Sequence, residues 1–188
     1  MNQELFDKFD NSKDAPCSLT SGQRNVQFGK YLWRVLDVKN GMAMLLTEEI
    51  LEQRGYHSKR ESVTWETCDL RKYLNGAFLQ TFSSQEQERI VQTENRNADN
   101  PKYGTPGGRD TVDRVFLLSI EEVLKYSGDD SARIIAKYQG REDWWWLRSP
   151  GSNDDYAAYV IGDGSLNMFG RMVISVLGGV RPALWLKL

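Results

Sequence analysis

A single histidine, His57, stands among the 188 residues of the chain, and it limits the chemistry available. Any Ser-His-Asp or Cys-His relay has to use it, and no histidine-rich metal site can be built around one imidazole. It lies in the polar run Arg54-Gly55-Tyr56-His57-Ser58-Lys59-Arg60, which reads as a solvated surface loop. No Gly-x-Ser-x-Gly elbow and no phosphate-cradling Gly-x-x-x-x-Gly-Lys loop occurs. Cys17 and Cys68 give neither a disulfide framework nor a metal-ligand spacing and read as reduced thiols. Carboxylates remain. Asp154, Asp155 or Asp163 could serve an enzyme acting on glycans if two of them faced each other about 5–9 Å apart across a cleft. Asn95, Asn97, Asp99, Asp110 and Asp113 offer oxygen donors of the kind calcium takes. Their spacing matches no EF-hand, and the same residue types are those that turns require. No residue is assigned as catalytic or as a metal ligand, and no cofactor is implied.

Six tryptophans, eight tyrosines and seven phenylalanines are the compositional excess. Three of them form the run Trp144-Trp145-Trp146-Leu147-Arg148-Ser149-Pro150-Gly151, answered about thirty residues on by Gly178-Gly179-Val180-Arg181-Pro182-Ala183-Leu184. In a strand, Trp144 and Trp146 share one face while Trp145 takes the other. The run is then a brace through the core, or, with one face open, an aromatic platform beside Arg148 suited to stacking on a sugar or planar ligand. Trp145 is the candidate for the inward ring and Trp144 for the exposed one. Arg148 and Arg181 sit in apolar strand surroundings, where a guanidinium must be paired and hydrogen-bonded. Loop carbonyls, or the carboxylates of Glu142 and Asp143, are the expected acceptors.

Elements that would position these groups follow from pattern. Residues 1–27 are polar and aperiodic and read as an extension, with a single domain over 28–188. Apolar runs at 31–38 and 42–47 flank Asn40-Gly41, a hairpin signal. That turn places Leu36 opposite Leu45, Val38 opposite Ala43 and Val35 opposite Leu46. Leu70, Tyr73, Leu74, Ala77 and Phe78 mark one helix face, with Asn75-Gly76 expected to end or loosen the helix. Ser83 with Glu86, and Ser119 with Glu122, form capping boxes, and Leu118 can staple Val123 in a helix that stops near Gly128. Residues 115–118 read as a buried strand and 132–137 as a last short helix. Five short strands follow at 144–147, 156–161, 166–169, 173–176 and 183–186, with Gly162-Asp163-Gly164 turning Ile161 onto Leu166. The order of a hairpin, helices and then an antiparallel meander is an α+β chain.

Composition bounds the rest. Hydrophobic content is 40% and charged content 27%, ordinary for a globular domain. A formal net charge of −2 provides no field for nucleic acid or an anionic membrane. No apolar stretch approaches the length of a membrane span, and residues 1–9 lack the apolar core of a signal peptide. The expectation is a cytoplasmic protein with no nucleic-acid partner and no membrane insertion, while surface attachment through segments outside this chain stays open.

The bracket of Trp144–Gly151 and Gly178–Leu184 resembles the signature of a widespread bacterial family catalogued as a domain of unknown function. The blocks Trp33-Arg34-Val35-Leu36, Val63-Thr64-Trp65-Glu66-Thr67-Cys68, Leu70-Arg71-Lys72-Tyr73-Leu74-Asn75 and Val115-Phe116-Leu117-Leu118-Ser119 resemble its other blocks, in order. That family is similar to the C-type-lectin-like fold of formylglycine-generating enzymes and of phage and bacterial surface receptors. The resemblance implies antiparallel strands with flanking short helices and pairing of N- and C-terminal strands. Formylglycine-generating enzymes bind copper through a late cysteine pair, and this chain has no cysteine after Cys68, so that activity does not carry over. Receptor relatives place ligand contacts on loops between the late strands, here 149–156 and 167–171. These loops combine amides, carboxylates and aromatics on a sheet, where recognition can vary without disturbing a core. The expectation is a non-catalytic binding or interaction module for a small molecule, glycan or protein, with Trp144, Arg148, Asn153, Asp155, Asn167 and Arg171 as contact residues. A carboxylate-dependent enzyme acting on glycans, or a structural domain of a larger assembly, are the alternatives.

Overall fold

The computed structural model describes residues 25–128 and 134–188. The expected helix at 132–137 falls partly outside these residues; its described end, Lys137–Tyr138, is a strand. Cys17 also lies outside them.

Strands Asn25–Phe28 (β1), Tyr31–Lys39 (β2), Met42–Thr47 (β3) and Ala183–Lys187 (β13) form one antiparallel sheet in the order β1-β2-β3-β13. The first of them starts at Asn25, three residues ahead of the boundary placed at 28. Asn40 and Gly41 carry positive φ of 52° and 71°, as the tight hairpin turn requires. Val38 pairs with Ala43 as expected, but Val35 pairs with Leu45 and Asp37 with Met44. A bulge at Leu36 absorbs one residue and shifts the far end of the register, so the expected Leu36–Leu45 and Val35–Leu46 pairs do not form. Leu36 is half-buried and still packs on the core.

Leu166–Met172 (β11), Tyr156–Val160 (β10), Trp145–Pro150 (β9), Gly179–Val180 (β12) and Glu52–Gln53 (β4) form the second sheet in that order. Here the simple meander fails. Gly179 pairs parallel with Trp145, so β12 inserts between β9 and β4 instead of following β11. Residues 173–176, expected as a strand, form the turn that makes this jump. The β10–β11 hairpin pairs Val160 with Leu166, one position off the expected Ile161, because Ile161 N donates to Ser165 O within the turn. Two small ladders complete the strands: Thr93–Asn95 (β5) with Thr111–Asp113 (β6), and Lys137–Tyr138 (β7) with Arg141–Glu142 (β8).

Three helices flank the sheets among the described residues. At Asn75-Gly76 the helix Asp69–Tyr73 (α1) loosens rather than ends, one of the two expected outcomes: it continues through a π-helical turn, Leu74–Phe78, and a 3₁₀ turn to Thr81. Burial of Leu74, Phe78 and Leu79 holds the widened turn together. Ser84–Arg89 (α2) and Ile120–Ser127 (α3) both start with the capping boxes read from sequence, and α3 stops at Gly128. Leu118 and Val123, the expected staple, are both buried. Residues 115–118 are wholly buried but form no continuous strand; only Phe116 bridges Ala183 of β13.

The core runs between the sheets and under the helices. Trp33, Trp65, Trp145 and Trp146 are fully buried within it. Core packing is therefore the main use of the aromatic excess.

Candidate functional site

The two halves of the tryptophan bracket meet in space, and their contact is structural. Trp145 and Trp146 lie in β9, while the Gly178-Gly179 pair runs alongside, with Gly179 N donating to Trp144 O at 3.1 Å. A Cβ on Gly178 would stand 1.8 Å from Trp146 Nε1, so only glycine lets the indole lie against the backbone there. Trp146 Nε1 in turn donates to Arg54 O at 2.9 Å. Arg181 is completely buried; it stacks 5.0 Å from the Trp145 ring and donates to Thr47 O, Ile134 O and Glu48 O. Burial pushes its pKa down to about 9. Loop carbonyls hold it, as anticipated, with cation–π contact added.

Arg148 is 4% exposed and is engaged inside the molecule. Its guanidinium forms a fork on the carboxylate of Glu122 and donates to Leu117 O at 2.8 Å and Arg96 O at 3.3 Å. Its Nε is buried without a hydrogen-bond partner. The expected acids are elsewhere. Asp143 accepts from Gln53 Nε2 and Trp144 N, and Glu142 is exposed in β8. Glu122 also accepts from Ser119 N as the capping-box acid, so one carboxylate caps α3 and neutralises Arg148. The capping box was visible in sequence; its second partner, 26 residues away, was not.

The other expected contact residues are spread along the late strands. Trp144 is half-buried, with its ring edge-to-face against Trp146 at 4.8 Å and Tyr159 at 5.1 Å. The Arg171 guanidinium lies 4.9 Å from the Trp144 ring centroid, so these two come together. Asn167 Oδ1 accepts from Gly170 N and shapes β11 locally. Asp155 is tied to Arg60 at 2.9 Å, and Asn153 is exposed in the turn before β10. Asp163 accepts from Ser165 N in the turn at the other end of that strand. The intervening strand of five residues spans roughly 17 Å, so Asp163 and the Asp154–Asp155 pair do not face each other across a cleft.

His57 departs from the sequence reading: it is 8% exposed. Its Nε2 lies 3.0 Å from Glu61 Oε1, its Nδ1 lies 3.0 Å from Asp69 Oδ2, and Nδ1 accepts from Asp69 N at 3.3 Å. The loop is drawn in because His57 N donates to Val173 O in the β11–β12 turn, a contact between residues 116 positions apart that a local window does not show. Hydrogen bonds from Ser58 hold the Asp69 carboxyl down to about 2. Nearby, Cys68 caps α1 with its sulfur and is buried, which pushes its thiol up to about 12. That is an inert packing thiol.

The 95–113 loop buries Asn95, Asn97, Asn100 and Asp113 and leaves Asp99 and Asp110 exposed. Asn97 Nδ2 donates to Arg109 O, Asp99 accepts from Gly107 N, and Asp110 accepts from Asn97 N. Asn100 donates to Pro150 O, Gly151 O and Met168 O, fastening the loop to the ends of β9 and β11. Asp113 accepts from Trp65, Arg71, Asn75, Asn95 and Thr111. Protein donors thus occupy the Asp99, Asp110 and Asp113 carboxylates, whereas Asn97 Oδ1 is buried without a hydrogen-bond partner.

A groove of about 280 Å³ is lined by Arg148 and Glu122 together with Arg96, Lys125, Tyr126 and Trp185, among others. Arg148 is the one expected contact residue that lines it.

Residues 40–188 match the family described as Domain of unknown function (DUF6273), and the chain belongs to that family. No curated protein and no solved structure matches the chain. Among the described residues no helix is long and apolar enough to cross a membrane.

Proposed function

We propose that the chain is a non-catalytic binding module with a C-type-lectin-like fold, which takes its ligand on the late-strand surface. The fold assignment is supported by the pairing of β13, near the chain end, with β3 of the first hairpin. The observation that carries the binding reading is the stack of Arg171 on the half-buried Trp144 ring, backed by Trp146 and Tyr159. A ring held on two sides by other rings is an ordered platform, and a cation over it can exchange for a sugar face or planar ligand. Asn167, opposite Tyr159 in the β10–β11 ladder, supplies an amide on the same hairpin, while Asn153 and Asp155, whose partner Arg60 is exposed, lie toward the other end of β10. Arg148 serves as a positioning residue within β9.

The test is chemical-shift mapping against a panel of glycans and metabolites, with Trp144→Ala and Arg171→Ala as controls. Shifts within residues 149–171 that vanish in both variants are the expected outcome. Shifts clustered on residues 70–92, with none in 149–171, overturn the assignment. A protein-interaction reading is favoured by one other feature: Val176 and Leu177 stand 68% and 55% exposed on the β11–β12 turn. A panel without any responding compound supports that second reading.

A further inference from the structure

The 280 Å³ groove adjoins a second one of about 250 Å³, and both are lined by Lys39, Thr93, Glu94 and Trp185. Together they make one elongated furrow. Val91, Gln92, Thr93, Glu94, Asn95 and Arg96 line it consecutively, so the chain runs along the furrow rather than across it. At its centre is β5, which among the described residues pairs only with β6. A strand paired on one side points alternate N–H and C=O groups outward. Among the described residues, Thr93, Glu94 and Asn95 make no main-chain hydrogen bond beyond the β6 ladder.

The surroundings of β5 are stiff. Val91 N donates to Trp185 O at 2.8 Å on one flank, and on the other Arg96 O accepts from the buried Arg148 guanidinium, itself paired with Glu122. The edge is therefore presented in a fixed shape, which lowers the ordering cost of a docking chain.

Charge narrows the choice of occupant. Most ions along the furrow are matched: Arg148 with Glu122, Arg96 with Glu121 at 3.9 Å, and Lys125 with Asp37 at 3.3 Å. Two are not. Lys39 has no carboxylate within ion-pair distance among the described residues and rests its ammonium 4.6 Å from the Trp185 ring centroid. Glu94 is exposed and likewise forms no ion pair among them. A buried aromatic floor, an unpaired strand edge and one unmatched charge of each sign describe a slot for a polar extended chain.

We infer that this furrow docks an extended peptide segment, which adds to β5 as a strand and sets an acidic side chain on Lys39 and a basic one on Glu94. Main-chain hydrogen bonds to the β5 edge supply affinity, and the two charges and the Trp185 surface select the sequence. This site is separate from the late-strand surface and takes a different class of partner.

An array of random octapeptides tests it, probed with the wild-type chain and with Lys39→Glu, Glu94→Lys and the doubly swapped variant. Both residues are exposed, and unchanged melting temperatures establish that the variants fold. Wild-type binders are expected to carry an acid and a base, and to lose about tenfold or more in affinity when alternate peptide amides are N-methylated. Lys39→Glu should abolish the preference for the acid, Glu94→Lys the preference for the base, and the double swap should accept peptides with the charges exchanged. In amide spectra the shifts should fall on residues 91–96. An array without binders, binders indifferent to both substitutions, or N-methylated peptides that bind equally well overturn the inference. Binders that shift residues 149–171 and respond to Trp144→Ala also overturn it, while leaving the late-strand proposal standing.

Discussion

Replacing Asp113 by alanine probes the densest polar junction in the molecule. The carboxylate is buried and accepts from Trp65 Nε1 at 3.0 Å, Arg71 Nε at 2.6 Å, Asn95 Nδ2 at 3.0 Å, Thr111 Oγ1 at 2.8 Å and, more weakly, Asn75 Nδ2 at 3.4 Å. Asn75 and Arg71 keep other acceptors, the carbonyls of Val115 and Glu66. Trp65 Nε1 and Asn95 Nδ2 have none but Asp113 among the hydrogen bonds described. Each buried donor left unmatched costs about 1–3 kcal/mol, and a lost bond to a charged group about 1.5–3. Water entering the vacated space returns part of this, which leaves a loss of about 4 kcal/mol. That is a large share of the stability of an ordinary domain, about 5–15 kcal/mol. Urea unfolding should show the midpoint falling with little change in slope, and the melting temperature should drop by about 8–16 °C. Asp113→Asn, which keeps one acceptor but turns a donor toward other donors, should fall between. A loss under about 1 kcal/mol in Asp113→Ala would refute the account of the junction. Because these oxygens are spent on protein donors, added calcium is expected to leave the wild-type melt unmoved. A rise with calcium would return the 95–113 loop to the metal sites.

The remaining expectations are narrower. Trp185→Ala should cost about 3–5 kcal/mol, since the ring is 9% exposed and packs on the β3 side of the core; an unchanged melting temperature contradicts its placement. In a Cys17→Ser background, Cys68 should resist a thiol reagent at pH 8 until the chain unfolds. Its folded pKa is raised to about 12, so its contribution to stability is full below the ordinary value of 9.0 and is lost as pH rises toward 12. Labelling at the rate of a free thiol in the folded protein would contradict that burial. The Asp69 carboxyl, held at about 2, contributes stability above its ordinary 3.8 that is lost as pH falls through 2. Ser58→Ala should move that loss to higher pH in an acid titration of the urea midpoint, and an unshifted curve removes Ser58 as the cause.

Short-range physics was legible in the chain. Both capping boxes, the Asn-Gly turn and the stop at Gly128 formed as read, because each needs only residues within a few positions of one another. The ordered blocks read as a domain of unknown function, and residues 40–188 match a family so described, with the first block, Trp33–Leu36, outside the match. The inward course of Trp145 was anticipated as well. What failed was whatever depended on partners far along the chain. The bulge at Leu36 and the parallel insertion of β12 follow from how two sheets share a core, which no local pattern encodes. His57 sits in a polar run and reads as exposed, yet a main-chain bond to Val173 draws it inward.

The candidate sites divide along the same line. Sequence could name Trp144, Arg148, Asn153, Asp155, Asn167 and Arg171 as residues able to make polar or stacking contacts, because side-chain chemistry is written in the residue type. It could not assign each its neighbour. Tertiary structure put Arg171 over Trp144, gave Asp155 to Arg60, and turned Arg148 onto Glu122 at the edge of a furrow built from β5, β13 and α3. A guanidinium in an apolar strand must find acceptors, and that much composition decides; which ones it finds depends on what the packed chain brings within about 3 Å.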